Sequence, residues 1–203
     1  MRTQIGFPTA KADVLASPPV RARWDVLAAV VADDGTLATR RVWLRGRTVG
    51  GWALLLDTGP SGATFDLDVL VGTTLEAEVH RYPGAGGQRS LVGDRHGEPE
   101  PICDLEGSTV GDLLAADALG LAASPWLAQT PACLAAVVPV NDGGRWFVVD
   151  EGGDGLPLAA PAWDLLALSG GRPVAAVGEW DGNRLVPLSC FVDGALTPLR
   201  QAP

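Results

Sequence analysis

The stretch from Arg41 to Gly84 reads RVWLRGRTVGGWALLLDTGPSGATFDLDVLVGTTLEAEVHRYPG, and it decides the fold class. Gly50-Gly51 precede an apolar run, Trp52-Ala53-Leu54-Leu55-Leu56, that stops at Asp57. An apolar run this short, bounded by turn formers, has strand length rather than helix length. A turn-rich loop leads to Gly72, and the chain from Thr73 to Tyr82 then alternates before Pro83-Gly84 end it. Leu75, Ala77 and Val79 are apolar, while Glu76 and Glu78 between them are charged. A period of two gives a strand one face toward a core and one toward water. The pattern predicts that Trp52 and Leu54 or Leu55 lie on central strands and that Gly72 turns the chain into the next one. Leu75, Ala77 and Val79 then face inward.

Upstream, Trp24 to Val31 is an apolar strand, Asp33-Asp34-Gly35 is a hairpin turn and Thr39 to Leu44 is the return. Residues 1–20 carry Pro8, Pro18 and Pro19 without a period and read as a leader or linker. Downstream, Gly84-Ala85-Gly86-Gly87 is a turn and Arg89 to Val92 a short strand. Asp94 to Pro101 is polar with two prolines and reads as a domain boundary, dividing a β subdomain (21–98) from a helix-plus-β subdomain (99–203). There Ser108 can cap a helix and Asp112 suits its positive end. Val110, Leu113, Leu114 and Leu121 fall at helical spacing, so one helix is expected near residues 109–121, ended by Ser124-Pro125.

Leu134 to Val140 and Trp146 to Asp150 flank the turn Asn141-Asp142-Gly143-Gly144. Trp163 to Leu168 fits either a strand or a helical turn. Pro173 to Trp180 and Arg184 to Phe191 flank Asp181-Gly182-Asn183, and Val192 to Pro198 closes the chain. The fold class is mostly β (α+β): short antiparallel strands and hairpins in one or two small β subdomains. Trp52 running to Asp57 resembles Trp146 running to Asp150, and Gly72 to Gly84 resembles Gly171 to Gly182. Ordinary recurrence of strand-turn-strand chemistry accounts for this, with two related β units as the alternative.

The 26 glycines and 16 prolines supply the turns such a fold needs. A net charge of -9 repels phosphate backbones, so no direct nucleic-acid binding is expected. Cys103, Cys133 and Cys190 lie far apart with no Cys-x-x-Cys pair, and the residues after Met1 contain no apolar signal segment. No apolar run approaches the roughly 20 residues of a membrane span. These features lead us to expect reduced thiols, a soluble cytoplasmic location and no membrane partner.

Catalytic chemistry is sparse. Asp66 and Asp68 would share a face if strand-borne and, with Asp57, could serve a hydrolytic or carbohydrate-active enzyme in a β cleft; in a loop they are only solvated. His80, His96 and Cys103 lack the close four-ligand spacing of a zinc site, so no metal and no cofactor are expected. No phosphate-binding loop or nucleophile elbow occurs. The seven tryptophans mark nearly every expected strand, which is core packing. The sharper alternative is a partner-binding face with Trp43, Arg45, Arg47 and Arg89.

Arg40-Arg41-Val42-Trp43-Leu44-Arg45-Gly46, Trp52 to Leu56, Val71 to Glu78 and Tyr82-Pro83-Gly84 resemble the region that follows the zinc finger in bacterial SWIM zinc-finger family proteins. Gly178 to Gly182 with Val186 to Ser189 resembles the end of the same proteins. The finger itself, Cys-x-Cys followed by Cys-x-His, is absent, so no zinc ligand carries over. After Pro83-Gly84 the family's Pro-Leu-Arg-Ala-like run is replaced by Gly86-Gly87-Gln88-Arg89-Ser90-Leu91. The resemblance implies a non-enzymatic accessory or interaction domain with a protein partner, such as an AAA-type ATPase or a von Willebrand A-domain protein encoded nearby. A fragment of a zinc-dependent nucleic-acid-binding protein, its finger upstream, is the other reading.

Overall fold

The computed structural model describes residues 9–65, 69–84, 88–125 and 128–200. The chain divides into two units, Met1–Pro101 and Ile102–Pro203. Strands hold 53% of the residues and helices 14%, so the fold is mostly β with a minor α part.

The first unit is a closed barrel of β1 (Val20–Asp33), β2 (Leu37–Gly46), β3 (Trp52–Pro60), β4 (Thr73–Arg81) and β5 (Arg89–Pro101). The first three strands form an antiparallel meander, β4 returns to pair with β1, and β5 pairs with β4. A short parallel contact, Leu54 with Arg89 and Leu55 with Ser90, closes the ring between β3 and β5. Alternate residues fill it: Trp24 and Val26, Val42 and Leu44, Ala53 and Leu55, and Leu75, Ala77 and Val79. The expected register of β4 therefore holds. Glu76 lies on its other face, where it meets Arg21 of β1 at 2.7 Å. Gly72 turns into β4 with φ +90°, a conformation glycine adopts without steric cost.

Two stretches of this unit carry more regular structure than expected. Residues 11–15, inside the expected leader, form the short helix α1 (Lys11–Leu15), and β1 begins at Val20. The expected boundary Asp94 to Pro101 is the second half of β5, hydrogen-bonded along β4. Pro99 and Pro101 misled because proline interrupts a paired strand. Beyond Ser90, however, no strand among the described residues pairs with β5 on its β3 side, and an unpaired edge tolerates a missing N–H. The division between units falls at Pro101, three residues past the expected one.

The second unit is a six-stranded sheet in the order β11-β10-β9-β6-β7-β8. Its strands are β6 (Thr130–Asp142), β7 (Arg145–Val149), β8 (Gly155–Pro157), β9 (Val174–Trp180), β10 (Leu185–Val192) and β11 (Ala195–Pro198). Its helices are α2 (Val110–Ala123) and α3 (Trp163–Ser169). α2 confirms the expected helix, but its cap is Thr109, in a reciprocal capping box with Asp112, rather than Ser108. Ser108 instead bridges to β6: its N–H donates to Cys133 O, and its carbonyl accepts from Ala135 N. The ambiguous Trp163 segment is helical, and β8 had no counterpart in the sequence reading.

The sheet curls until Leu158, just past β8, forms a parallel bridge with Leu185 of β10. β6 to β10 thus retrace the path of β1 to β5. Each unit has a three-strand meander, a fourth strand back on the first, and a fifth that pairs with the fourth and runs parallel to the third. This is the connectivity of the OB-type Greek-key barrel. The recurrence is therefore architectural, not ordinary repetition of turn chemistry. The alignment of Gly72–Gly84 with Gly171–Gly182 joins equivalent strands, β4 and β9. The alignment of Trp52 with Trp146 joins β3 to β7, whose true counterpart is β2.

Candidate functional site: a groove on the second unit

The groove is built from two hairpin tips and a connecting loop. In the β6–β7 hairpin, Gly143 and Gly144 form the two-residue connection with φ of +56° and +88°. Both angles positive is the geometry that matches strand twist, and it favours glycine. Gly144 N–H donates to Asn141 Oδ1 at 3.2 Å, and Arg145 stands at the start of β7. Trp146 and Val148 of β7, and Leu156 of β8, enter the core, so alternation turns Phe147 and Pro157 to the outer face.

In the β9–β10 hairpin the Asp181 carboxylate accepts N–H bonds from Asn183 and Arg184, each at 2.7 Å. These bonds, that of Arg184 first, hold the Asp181 carboxyl below the usual carboxylate range. They also fix the turn that carries Arg184.

The loop from Leu158 to Ala162 joins β8 to α3 and is pinned by Ala159 N–H to Leu185 O at 3.0 Å. In α3, Leu165 and Ser169 are buried and Leu166 packs against the core. Two residues before Leu165 along a helix is about 200° of rotation, so Trp163 lies at the rim of the core rather than inside it. It is 65% exposed. Its ring meets that of Trp146 edge-on, centroids 4.7 Å apart.

Two adjoining cavities result. One, of about 480 Å³, is lined by Arg145, Phe147, Pro157 and Arg184. The other, of about 350 Å³, is lined by Trp163, Leu165, Pro187, Leu199 and Arg200. They share Ala159, Ala160 and Pro161. The second unit has four basic residues, Arg145, Arg172, Arg184 and Arg200, against twelve acidic ones. Three of the four line this groove. Its acidic lining residue is Asp164, which accepts the Arg200 backbone N–H at 3.3 Å. Guanidinium groups over aromatic and proline surface bind, orient and desolvate; they do not by themselves transfer protons.

The residues singled out from sequence lie elsewhere, in the first unit. Trp43 is buried, meeting Trp52 edge-on at 6.2 Å, and Arg45 shares its face of β2. Arg47 is turned onto the buried Asp25, Nε to Oδ1 3.1 Å, and Arg89 lies over the Tyr82 ring at 4.4 Å. Asp57 is held by Arg40 at 2.7 Å, while Asp66 and Asp68 lie outside the described residues. Among the described residues, no group of three or more His, Cys, Asp or Glu gathers to hold a metal. Arg145, Trp163, Arg184 and Arg200 were missed because they are far apart in sequence and converge only through the strand order. Trp163 alone left a signal: with Leu165 and Ser169 inward on a helix, it must lie at the rim of the core.

No helix of the described residues is long and apolar enough to cross a membrane. Compared with known proteins, the chain matches no family model, no curated protein sequence and no solved structure.

Proposed function

We propose that this chain is a non-enzymatic interaction module that receives a protein partner in the groove of its second unit. The observation that carries the reading is Trp163: a large aromatic ring, 65% exposed, beside a concave surface edged by arginines. Leaving that much apolar area in water is unfavourable, and aromatic and arginine residues are the types enriched where proteins meet. Analogy of fold supports the place of the groove, though not the kind of ligand, since barrels of this connectivity bind oligonucleotides and oligosaccharides over their second and third strands and the adjoining hairpin loops. β7, β8 and the Arg145 and Arg184 turns are those elements here. The resemblance to the region after the finger of SWIM zinc-finger proteins points to the same accessory role, with an AAA-type ATPase or von Willebrand A-domain protein as the kind of partner it implies.

A crystallographic fragment screen tests the reading. Fragments are expected to cluster between Phe147 and Trp163. Clustering at Asp57 on the first unit, together with turnover of chromogenic glycosides or esters that Asp57→Asn abolishes, would replace it with the enzyme reading.

A further inference from the structure

Resting on that reading, we infer that the groove takes an extended acidic peptide, its carboxylates on Arg145 and Arg184 and an aliphatic or proline residue against Trp163. The argument starts from charge placement. A unit with twelve acidic and four basic residues has placed three of its four cations along one concave surface. Among the described residues no hydrogen bond engages the guanidinium of Arg184 or Arg200, and Arg184 has only the electrostatic pull of Asp181 in its own turn. Arg145 has only a loose, exposed ion pair with Asp142 at 3.6 Å, which costs little to exchange. Each group can therefore accept an incoming carboxylate in the two-bond geometry that guanidinium favours.

The groove's two halves differ in kind. The half edged by Arg145 and Arg184 is cationic, with Phe147 as its floor and the Arg145 guanidinium 5.8 Å from that ring. The other, lined by Trp163, Leu165, Pro187 and Leu199, is apolar. A ligand that crosses the shared Ala159-Ala160-Pro161 segment must bring acidic groups to one side and apolar ones to the other. An extended peptide does this within a few residues. Single-stranded nucleic acid would also stack on Trp163 and Phe147. Its charge, however, recurs at every nucleotide and extends past the three arginines into a surface of net negative sign, whereas a peptide can confine two or three carboxylates to the groove.

The test selects ligands without assuming a sequence. Random 12-residue peptides on phage, and in parallel a random single-stranded DNA pool, are panned against the immobilised full chain. The wild-type protein is expected to enrich peptides in which Asp or Glu is followed by Leu, Ile, Val or Pro. Synthetic copies should lose at least tenfold in affinity to Arg145→Ala or Arg184→Ala, and again when Asp and Glu become Asn and Gln. Arg184→Lys, which keeps the charge but not the two-bond fork, should recover only part of that loss, and all variants should melt like wild type. Enriched peptides that are neutral or basic, or peptides indifferent to the arginine variants but lost with Trp163→Ala, overturn the acidic-peptide inference and leave the groove as an interaction site. Enrichment of DNA over peptide overturns it in favour of a nucleic-acid ligand. Enrichment of neither, or of peptides unaffected by Trp163→Ala and by the arginine variants alike, overturns the interaction reading itself.

Discussion

At the scale of single residues, the tightest constraint is Gly107. A Cβ there would fall closer than 3.0 Å to the backbone of Leu134 and Ala135 in β6, where nothing flexible can give way. The close approach lets Ser108 exchange backbone hydrogen bonds with β6 beside its irregularity between Leu134 and Val137, where Ala136 takes φ +47°. Gly107→Ala should therefore cost about 1–3 kcal/mol, the usual range of overpacking. Gly111, four residues on in α2, has only Thr109 Oγ1 nearby, at 3.8 Å. Its φ is not positive, so alanine there removes backbone freedom from the unfolded chain without strain. Gly111→Ala should stabilise by about 0.5–1 kcal/mol. Denaturant titrations of the two variants check both signs, and a neutral Gly107→Ala would mean that the Ser108 bridge to β6 is not tight.

At the scale of elements, β4 gives the sharpest contrast. Leu75 is 5% exposed inside the first barrel, and its neighbour Glu76 faces Arg21 on the outside. Leu75→Asp buries a charge without a partner, a cost comparable to the roughly 5–15 kcal/mol that holds a domain folded. Glu76→Gln removes one exposed ion pair and should leave the melting temperature essentially in place. Equal losses for the two variants would mean that the strand register is wrong. α2 offers a milder case: Thr109→Ala removes the hydroxyl that accepts the Asp112 N–H and should cost about 1 kcal/mol. These elements were legible in the sequence because their signals are local. Asp33-Asp34-Gly35, Asn141 to Gly144 and Asp181-Gly182-Asn183 mark hairpins through turn chemistry, and alternation from Leu75 to Val79 marks a buried face. What was not legible is non-local. The parallel closures, Leu54 with Arg89 and Leu158 with Leu185, have no sequence signature, β8 is too short for a period to show, and the arginines of the groove meet only once the strand order is known.

At the scale of the whole molecule, the turns of both units depend on ionised carboxylates. Asp33 accepts from Gly62 N–H at 2.8 Å, Gly35 N–H at 2.9 Å and the Ser61 hydroxyl at 3.0 Å; Asp34 accepts from Leu37 and Thr36. Asp150 accepts from Val110 N–H at the start of α2 and from Asp154 N–H. With Asp181, and with Glu76 on Arg21, these groups are all held below their ordinary values, 3.8 for the aspartates and 4.5 for the glutamate. A lowered folded value means that the native state binds fewer protons than the unfolded chain in that range. Stability from these contacts is therefore complete above the ordinary values and is lost as pH falls through the lowered ones. Cys190 works from the other end. Burial pushes its thiol above 9.0, so the unfolded chain ionises first and stability declines as pH rises past that point. The melting temperature should thus form a plateau that falls below about pH 4 and again above about pH 9. Replacing both Asp33 and Asp150 by Asn should lower the plateau and make the acid fall shallower, because two of the proton-linked contacts are gone. Cys190→Ala should flatten the alkaline side alone. Melting curves from pH 2 to 10.5 decide it: an acid limb of unchanged steepness in the double variant would show that the turn carboxylates do not link folding to protons.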